Sequence, residues 1–268
     1  MGDMFFGSEA QQALLKRGQE MFTLTKDDPR FTYYGRTVGF ADHTPHSHAI
    51  VEALAALQGA AHYGCVKDAD VGPLTVSLAG RGYSTKHFVR WVSTNATFEL
   101  AEQTLADNAL PSDVTAIILS PDSPQTDLEK LAKVALSCGV LPPAGAVLRG
   151  IARPAVALLA VDESGNPVSC AGSSAICHPD HPRFGGQAWW GMLATDPGRR
   201  GEKLALILGA MAILQMRDRF GFQGFFTGVQ PGNGPSEAVC RKMGLTPDGT
   251  SVVTVVDPVA MPGGALTK

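Results

Sequence analysis

Leu193-Ala-Thr-Asp-Pro-Gly-Arg-Arg-Gly-Glu-Lys-Leu-Ala205 is the stretch on which the reading of this chain turns. Residues 187–195 have strand character around Trp189 and Trp190, Pro197-Gly198 turns the chain, and residues 204–220 read as a long helix. A strand that leaves its sheet and opens a helix in this way presents first-turn amides that have no partner within the helix. Those amides and the positive end of the helix dipole attract an anion. A diphosphate suits the geometry, and Arg199, Arg200 and Lys203 add positive charge.

Regular alternation of elements extends outward from this junction. Downstream, residues 224–229 read as a strand, 235–243 as a helix and 251–256 as a last strand. Upstream, the β-branched run 114–119 is a strand, 120–125 a Pro-rich turn, and 127–137 a helix with Thr126 as its cap. Strands at 155–161 and 168–175 meet across Glu163-Ser-Gly-Asn-Pro167, the composition of a tight hairpin. Beyond the loosely defined 138–154, the order predicts an α/β (α+β) fold: a mixed central sheet flanked by helices.

Before residue 112 the pattern is less regular. A helix is expected over 11–22, strand character over 31–40, and a second helix over 48–62 capped by Ser47. The alternation of 74–78 reads as a strand, while 88–92 and 98–108 read as helices. Leu110-Pro111-Ser112 is the expected boundary between an N-terminal α+β domain (1–111) and the domain carrying the junction (112–268).

The chain is 44% apolar and 18% charged, enough apolar material for a packed core. Its net charge of −3, with both signs intermixed, offers no footprint for nucleic acid or for an anionic membrane. No run reaches the roughly 18 apolar residues of a membrane span, and Lys16 and Arg17 follow rather than precede Phe5 and Phe6, unlike an export signal. The scattered cysteines 65, 138, 170, 177 and 240 form no CxxC pair and fit reduced thiols in a cytoplasmic protein.

Several ordered segments carry a family resemblance. Thr195-Asp196-Pro197 followed by Arg200-Gly201 and Ala205 resembles the V-x-P step and R-G-x-G-x-G/A loop of the GNAT superfamily, the acyl-CoA-dependent N-acetyltransferases. Asn233-Gly-Pro-Ser-Glu-Ala-Val-Cys-Arg-Lys-Met-Gly-Leu245 is similar to that family's N-x-x-A-x-x-L-Y-x-K-x-G-F helix. The opening strand and helix at 117–131 and the hairpin at 162–168 fall where the family has its own. The resemblance implies acetyl-CoA as cofactor. Its pantetheine arm would pair with a splayed strand at Leu193, Ala194 and Thr195, and its pyrophosphate would lie on amides around Arg199, Arg200, Gly201, Glu202, Lys203, Leu204 and Ala205. Asn233 and Ser236 would hold the cofactor from the next helix. It further implies direct acetyl transfer in a ternary complex to a primary amine of a small molecule or amino acid derivative, and a possible homodimer.

Departures from the family pattern matter equally. Lys203 replaces a glycine that lets backbone approach phosphate closely. Cys240 stands where the family often has a tyrosine acid; its thiol can protonate a departing thiolate, or it is simply a small buried residue. No Asp or Glu lies in 187–193, where a base is frequent, so His178, His181 and Asp180 become the candidate bases. The absence of both usual groups leaves an alternative: an acyl-CoA-binding regulatory protein without catalysis. His43, His46, His48 and His62 cluster without a metal-ligand spacing, so no metal is assigned. Trp189 and Trp190 face opposite sides of their strand, one toward the long helix and one toward the acceptor pocket or core.

Overall fold

The structure, a computed structural model, describes residues 3–261. Helix α1 (Glu9–Thr25) starts in a capping box, where the Ser8 hydroxyl accepts from the Gln11 amide and the Gln11 side chain accepts from the Ser8 amide. A hairpin of β1 (Phe31–Tyr33) and β2 (Val38–Phe40) follows, then α2 (Ser47–Gln58), β3 (Ala60–Lys67), α3 (Asp68–Ala79), β4 (Ser84–Ser93) and α4 (Thr97–Asp107). The second half comprises β5 (Val114–Ile118), α5 (Gln125–Ser137), the short α6 (Gly145–Leu148), β6 (Ala155–Asp162), β7 (Pro167–Ala175) and β8 (Gln187–Thr195). It ends with α7 (Leu204–Phe220), β9 (Gly224–Val229), α8 (Gly234–Lys242) and β10 (Leu245–Val256).

All these strands form one sheet in the order β1-β2-β3-β10-β4-β9-β8-β7-β6-β5. The last strand, β10, lies between β3 and β4 and is antiparallel to both, while β4 pairs on its other edge with β9. Trp91 of β4 and Ala101 of α4 share a core with Trp190 and Ile213. Strands from before and after residue 111 are therefore interleaved in one sheet, and the core under α7 draws on both parts. The break at Leu110 to Ser112 marks the crossing from α4 to β5, not a division of the core.

Alternation along the strands places two layers on the sheet. In β6, Val156, Leu158 and Ala160 pack toward α7, whereas Ala157 and Leu159 join the core beneath α5. Among the described residues no helix is long and apolar enough to cross a membrane.

The N-terminal half departs from the sequence pattern in identifiable ways. Leu74 and Leu78, read as a strand with Val76 between them, lie on α3: the two leucines are buried at helical i,i+4 spacing while Val76 is 74% exposed. Residues 88–92, read as a helix, belong to β4, whose partners β9 and β10 come from far along the chain. The expected helix 48–62 stops at Gln58 because Gly59 adopts φ 99 and bonds back to Ala55, which frees Ala61 and His62 for β3. Ser47 is the first residue of α2 and Thr126 lies inside α5, so neither is an N-cap.

Candidate functional site

Strands β8 and β9 run parallel but pair only at their first residues, Gln187 with Gly224, Ala188 with Phe225 and Trp189 with Phe226. Past Trp189 they separate, and a cavity of about 480 Å3 is lined by Trp190 to Leu193 on one strand and Phe226 to Val229 on the other. The divergence has a local cause. On the β7 side Cys170 pairs with Ala194 and Gly172 with Gly191, so Ala171 faces both Met192 and Leu193. This bulge holds Met192 at φ 56, a left-handed conformation that costs a non-glycine residue about 1–2 kcal/mol. Leu193, Ala194 and Thr195 are left without a strand partner on the side of β9.

After β8 the chain makes a short 3-10 turn, Pro197–Arg199, opened by the Asp196 carboxylate accepting from the Gly198 amide at 2.8 Å. The first-turn backbone N–H groups of α7, those of Leu204, Ala205 and Leu206, have no acceptor within the helix, whose first bond is from Ile207 N–H to the Lys203 carbonyl. Such a run of amides opening α7 fits a diphosphate. Lys203 initiates α7 at φ 60, and its Nζ donates to Asn108 Oδ1 at 2.7 Å, which holds the exposed side chain against the end of α4. Arg199 donates to Glu202 at 2.8 Å and to Asp113 at 2.9 Å, and these carboxylates push its pKa further up. Arg199 thus ties the loop to the start of β5, while Arg200 is exposed.

Helix α8 borders the same cavity. The Asn233 side-chain oxygen accepts from the Ser236 amide at 3.3 Å, with Pro235 in the first turn, so the helix start is fixed by its own sequence. Asn233, Ser236 and Cys240 all line the cavity. Cys240 is 2% exposed, and burial pushes its thiol up to about 12, so it remains protonated at neutral pH.

His178 and His181 lie elsewhere. Neither lines the cavity. His181 is buried, its Nδ1 accepting from the amides of Arg183 and Phe184 at 3.2 and 3.1 Å and its Nε2 3.4 Å from Asp42. His178 Nδ1 accepts from the Asp180 amide at 3.1 Å. Both imidazoles organise their own loop, and Cys240 is not brought together with either. His43 and His48 meet each other, Nε2 to Nε2 at 3.0 Å, and among the described residues no group of three or more His, Cys, Asp or Glu converges as a metal site.

The residues that do face the cavity opposite α8 include Tyr34, Arg36, His62 and Trp189. Arg36 sits in the β1–β2 turn, 6% exposed, with its guanidinium 5.4 Å from the Tyr34 ring centre and 5.6 Å from that of Trp189. His62 Nε2 lies 2.8 Å from Thr32 Oγ1, and burial, with a smaller contribution from Arg36, pushes its pKa down to about 3. The neighbouring Trp190 turns the other way and donates to the Gly209 carbonyl of α7 at 3.0 Å. Its opposite orientation follows from strand alternation. Nothing in sequence spacing marks Arg36, which reaches the site only through the pairing of Thr32 with Cys177 and the bond from Tyr33 N–H to Ile176 O.

No protein-family model and no curated protein sequence matches the chain. Solved structures do match. A GCN5-related N-acetyltransferase from Kribbella flavida is 15% identical over 91% of this chain and 95% of its own, with a TM-score of 0.53. A GCN5-related N-acetyltransferase-like protein from Streptococcus suis is 15% identical, with a TM-score of 0.52, over 90% of this chain and 98% of its own. A Drosophila protein is 14% identical, with a TM-score of 0.54, over 93% of this chain and 89% of its own. Coverage of this extent carries the likeness past the Leu110 break into the N-terminal half. In the arrangement of its sheet and helices the chain has the GNAT fold, that of the GCN5-related N-acetyltransferases.

Proposed function

We propose that the protein is an N-acetyltransferase that moves an acetyl group from acetyl-CoA to a primary amine of a small molecule or amino acid derivative, directly and within a ternary complex. The observation that carries this reading is the pairing of β8 and β9, which ends at Trp189 and is followed by the unpartnered first-turn amides of α7, Leu204 to Leu206. The unpartnered edge of Leu193 to Thr195 would take the pantetheine arm, and the amides from Arg200 to Ala205 the diphosphate. Acetyl-CoA supplies the acetyl thioester: the new nitrogen–carbon bond replaces the carbon–sulfur bond, and the proton lost by nitrogen ends on sulfur.

Cys240 offers a thiol proton in the cavity wall. With its pKa near 12, full transfer to an ordinary thiolate of pKa about 8.5 is uphill by roughly 5 kcal/mol. Cys240 therefore acts as a hydrogen-bond donor to developing negative charge and not as the net source of the proton. Lys203, whose ammonium is engaged by Asn108, stabilises the loop that presents the amides.

Titration calorimetry with CoA, followed by thiol-release assays with acetyl-CoA and a panel of primary amines, tests the proposal. Micromolar CoA binding and amine-dependent thiol release are the expected results. Absence of CoA binding would overturn the reading. No Asp or Glu lines the cavity, and this favours a second reading, a non-catalytic acyl-CoA binder. Tight binding without turnover on any amine would select it.

A further inference from the structure

A guanidinium withdrawn from water needs compensating negative charge or polar contact, because an isolated buried ion is costly. Arg90 finds Asp248 and the Gln187 side chain, Arg149 finds the Ser123 carbonyl, and Arg153 finds the Cys177 carbonyl. Arg36 has neither a carboxylate nor a carbonyl as partner among the described residues. Among the described residues no carboxylate pairs with it, its Nε has no hydrogen-bond partner, and its surroundings are the rings of Tyr34 and Trp189 with the Tyr34 hydroxyl. It nevertheless lines the cavity, and none of the other lining residues is acidic. The charge is buried, facing an open space, and unpaired.

We propose that Arg36 binds the carboxylate of the acceptor, and that the acceptor is an amino acid. This rests on the acetyltransferase reading above, narrows its acceptor to an amino acid and assigns the residue that selects it. The guanidinium rests against two adjoining rings, Tyr34 and Trp189, whose centres are 6.0 Å apart, so both aromatic neighbours stand on one side of it, and a planar group held there suits the forked recognition of a carboxylate. Trp189, which flanks Arg36, is also the last residue of β8 that pairs with β9. A carboxylate on Arg36 therefore places the rest of a short amino acid at the point where the strands divide and the unpartnered edge of β8 begins.

The position of Arg36 is built, not incidental. Gly35 adopts φ 82, and a β-carbon there would fall 2.5 Å from Pro143 Cβ. The Gly35 carbonyl accepts from the Ala144 amide at 2.7 Å, and the preceding Tyr33 amide donates to Ile176 O at 2.8 Å. The turn is clamped from both sides. On this proposal the N-terminal segment supplies the acceptor specificity of a cofactor site made by the C-terminal segment.

The test is binding, with the full chain and without any requirement for turnover. The probes are the twenty standard amino acids and the amines left when each loses its carboxyl group, titrated with and without CoA by calorimetry. One or more amino acids should bind about 10- to 100-fold more tightly than the matching amine, the range expected for a hydrogen-bonded ion pair to a buried cation. Arg36→Gln should abolish that difference by weakening the amino acid and leaving the amine unchanged, and Arg36→Lys should restore part of it. Equal affinity of the wild-type protein for each pair, no binding of any amino acid, or undiminished discrimination by a folded Arg36→Gln variant would each overturn the proposal. Acetylation of amines with no preference for a carboxylate would leave the transferase reading standing and remove this one. Amino acid binding without any CoA binding would overturn the transferase reading and with it the acceptor role, leaving Arg36 as a carboxylate site only.

Discussion

The left-handed backbone at Met192 makes a stability prediction with an unusual sign. At an ordinary strand position alanine outranks glycine by roughly 0.5–1 kcal/mol, because glycine loses more freedom on folding. Met192, at φ 56 in the bulge of β8, carries a left-handed penalty of about 1–2 kcal/mol that only glycine escapes. Its side chain is also buried in the core under α5, so truncation to alanine should cost about 2–5 kcal/mol. Met192→Ala and Met192→Gly lose nearly the same packing, and their difference isolates the backbone. The two terms combine to put Met192→Gly between parity and about 1.5 kcal/mol above Met192→Ala. Urea unfolding of the two variants, read by the shift in midpoint at constant slope, measures the difference directly. If alanine leads by the usual 0.5–1 kcal/mol, β8 has no left-handed bulge there. The account of why it parts from β9 then fails.

Three further outcomes follow from the geometry. His62 has a folded pKa of about 3 against 6.5 when unfolded, so the unfolded state takes up the proton first. Stability should fall as pH drops below 6.5, by up to about 1.4 kcal/mol per unit until pH 3. Denaturant melts from pH 7 to 4 should show this slope flattened in His62→Gln; an unchanged slope would mean the imidazole is not held neutral. Cys240→Ser should retain turnover, and Cys240→Ala should lose about 10- to 100-fold in kcat as a hydrogen-bond donor disappears; equal rates in steady-state assays would remove Cys240 from the chemistry. A β-carbon at Gly209 would sit 2.8 Å from Trp190 Cζ2. Gly209→Ala should therefore destabilise by about 1 kcal/mol despite its better helix propensity. A thermal melt showing stabilisation would mean that α7 shifts freely over the sheet.

Legibility in the sequence tracks how local the determining contacts are. Strands β8 and β9 and helix α7 can be bounded from the chain alone, because Pro197-Gly198, Gly221 and Gly224 punctuate long, consistent patterns. The five residues 74–78 satisfy a strand alternation and a helical i,i+4 pair equally, and only the burial of Leu74 and Leu78 against the exposure of Val76 decides between them. For 88–92 the deciding partners are Thr227 and Ser251, more than a hundred residues away, which no window on the sequence contains. The interleaving of β10 between β3 and β4 is hidden for the same reason. A chain break such as Leu110-Pro111-Ser112 shows where an element ends, not with what the next one pairs.

The candidate site divides along the same line. The half proposed to take the cofactor is a contiguous piece of chain, a strand edge, a turn and a helix start, so the family resemblance can point to Leu193 to Ala205 and to the Asn233 to Cys240 helix from local segments. The half proposed for the acceptor draws Tyr34 and Arg36 from a hairpin turn, His62 from β3 and Trp189 from β8, and these meet only after the sheet has formed. Sequence reasoning, looking for a base near β8, favours His178 and His181 because they are close along the chain, yet neither lines the cavity and the Nδ1 of each already accepts from loop amides. Arg36 carries the opposite lesson. Its significance lies in a contact it does not make, a buried charge for which the described residues provide no anion, and a missing partner has no signature in the order of residues.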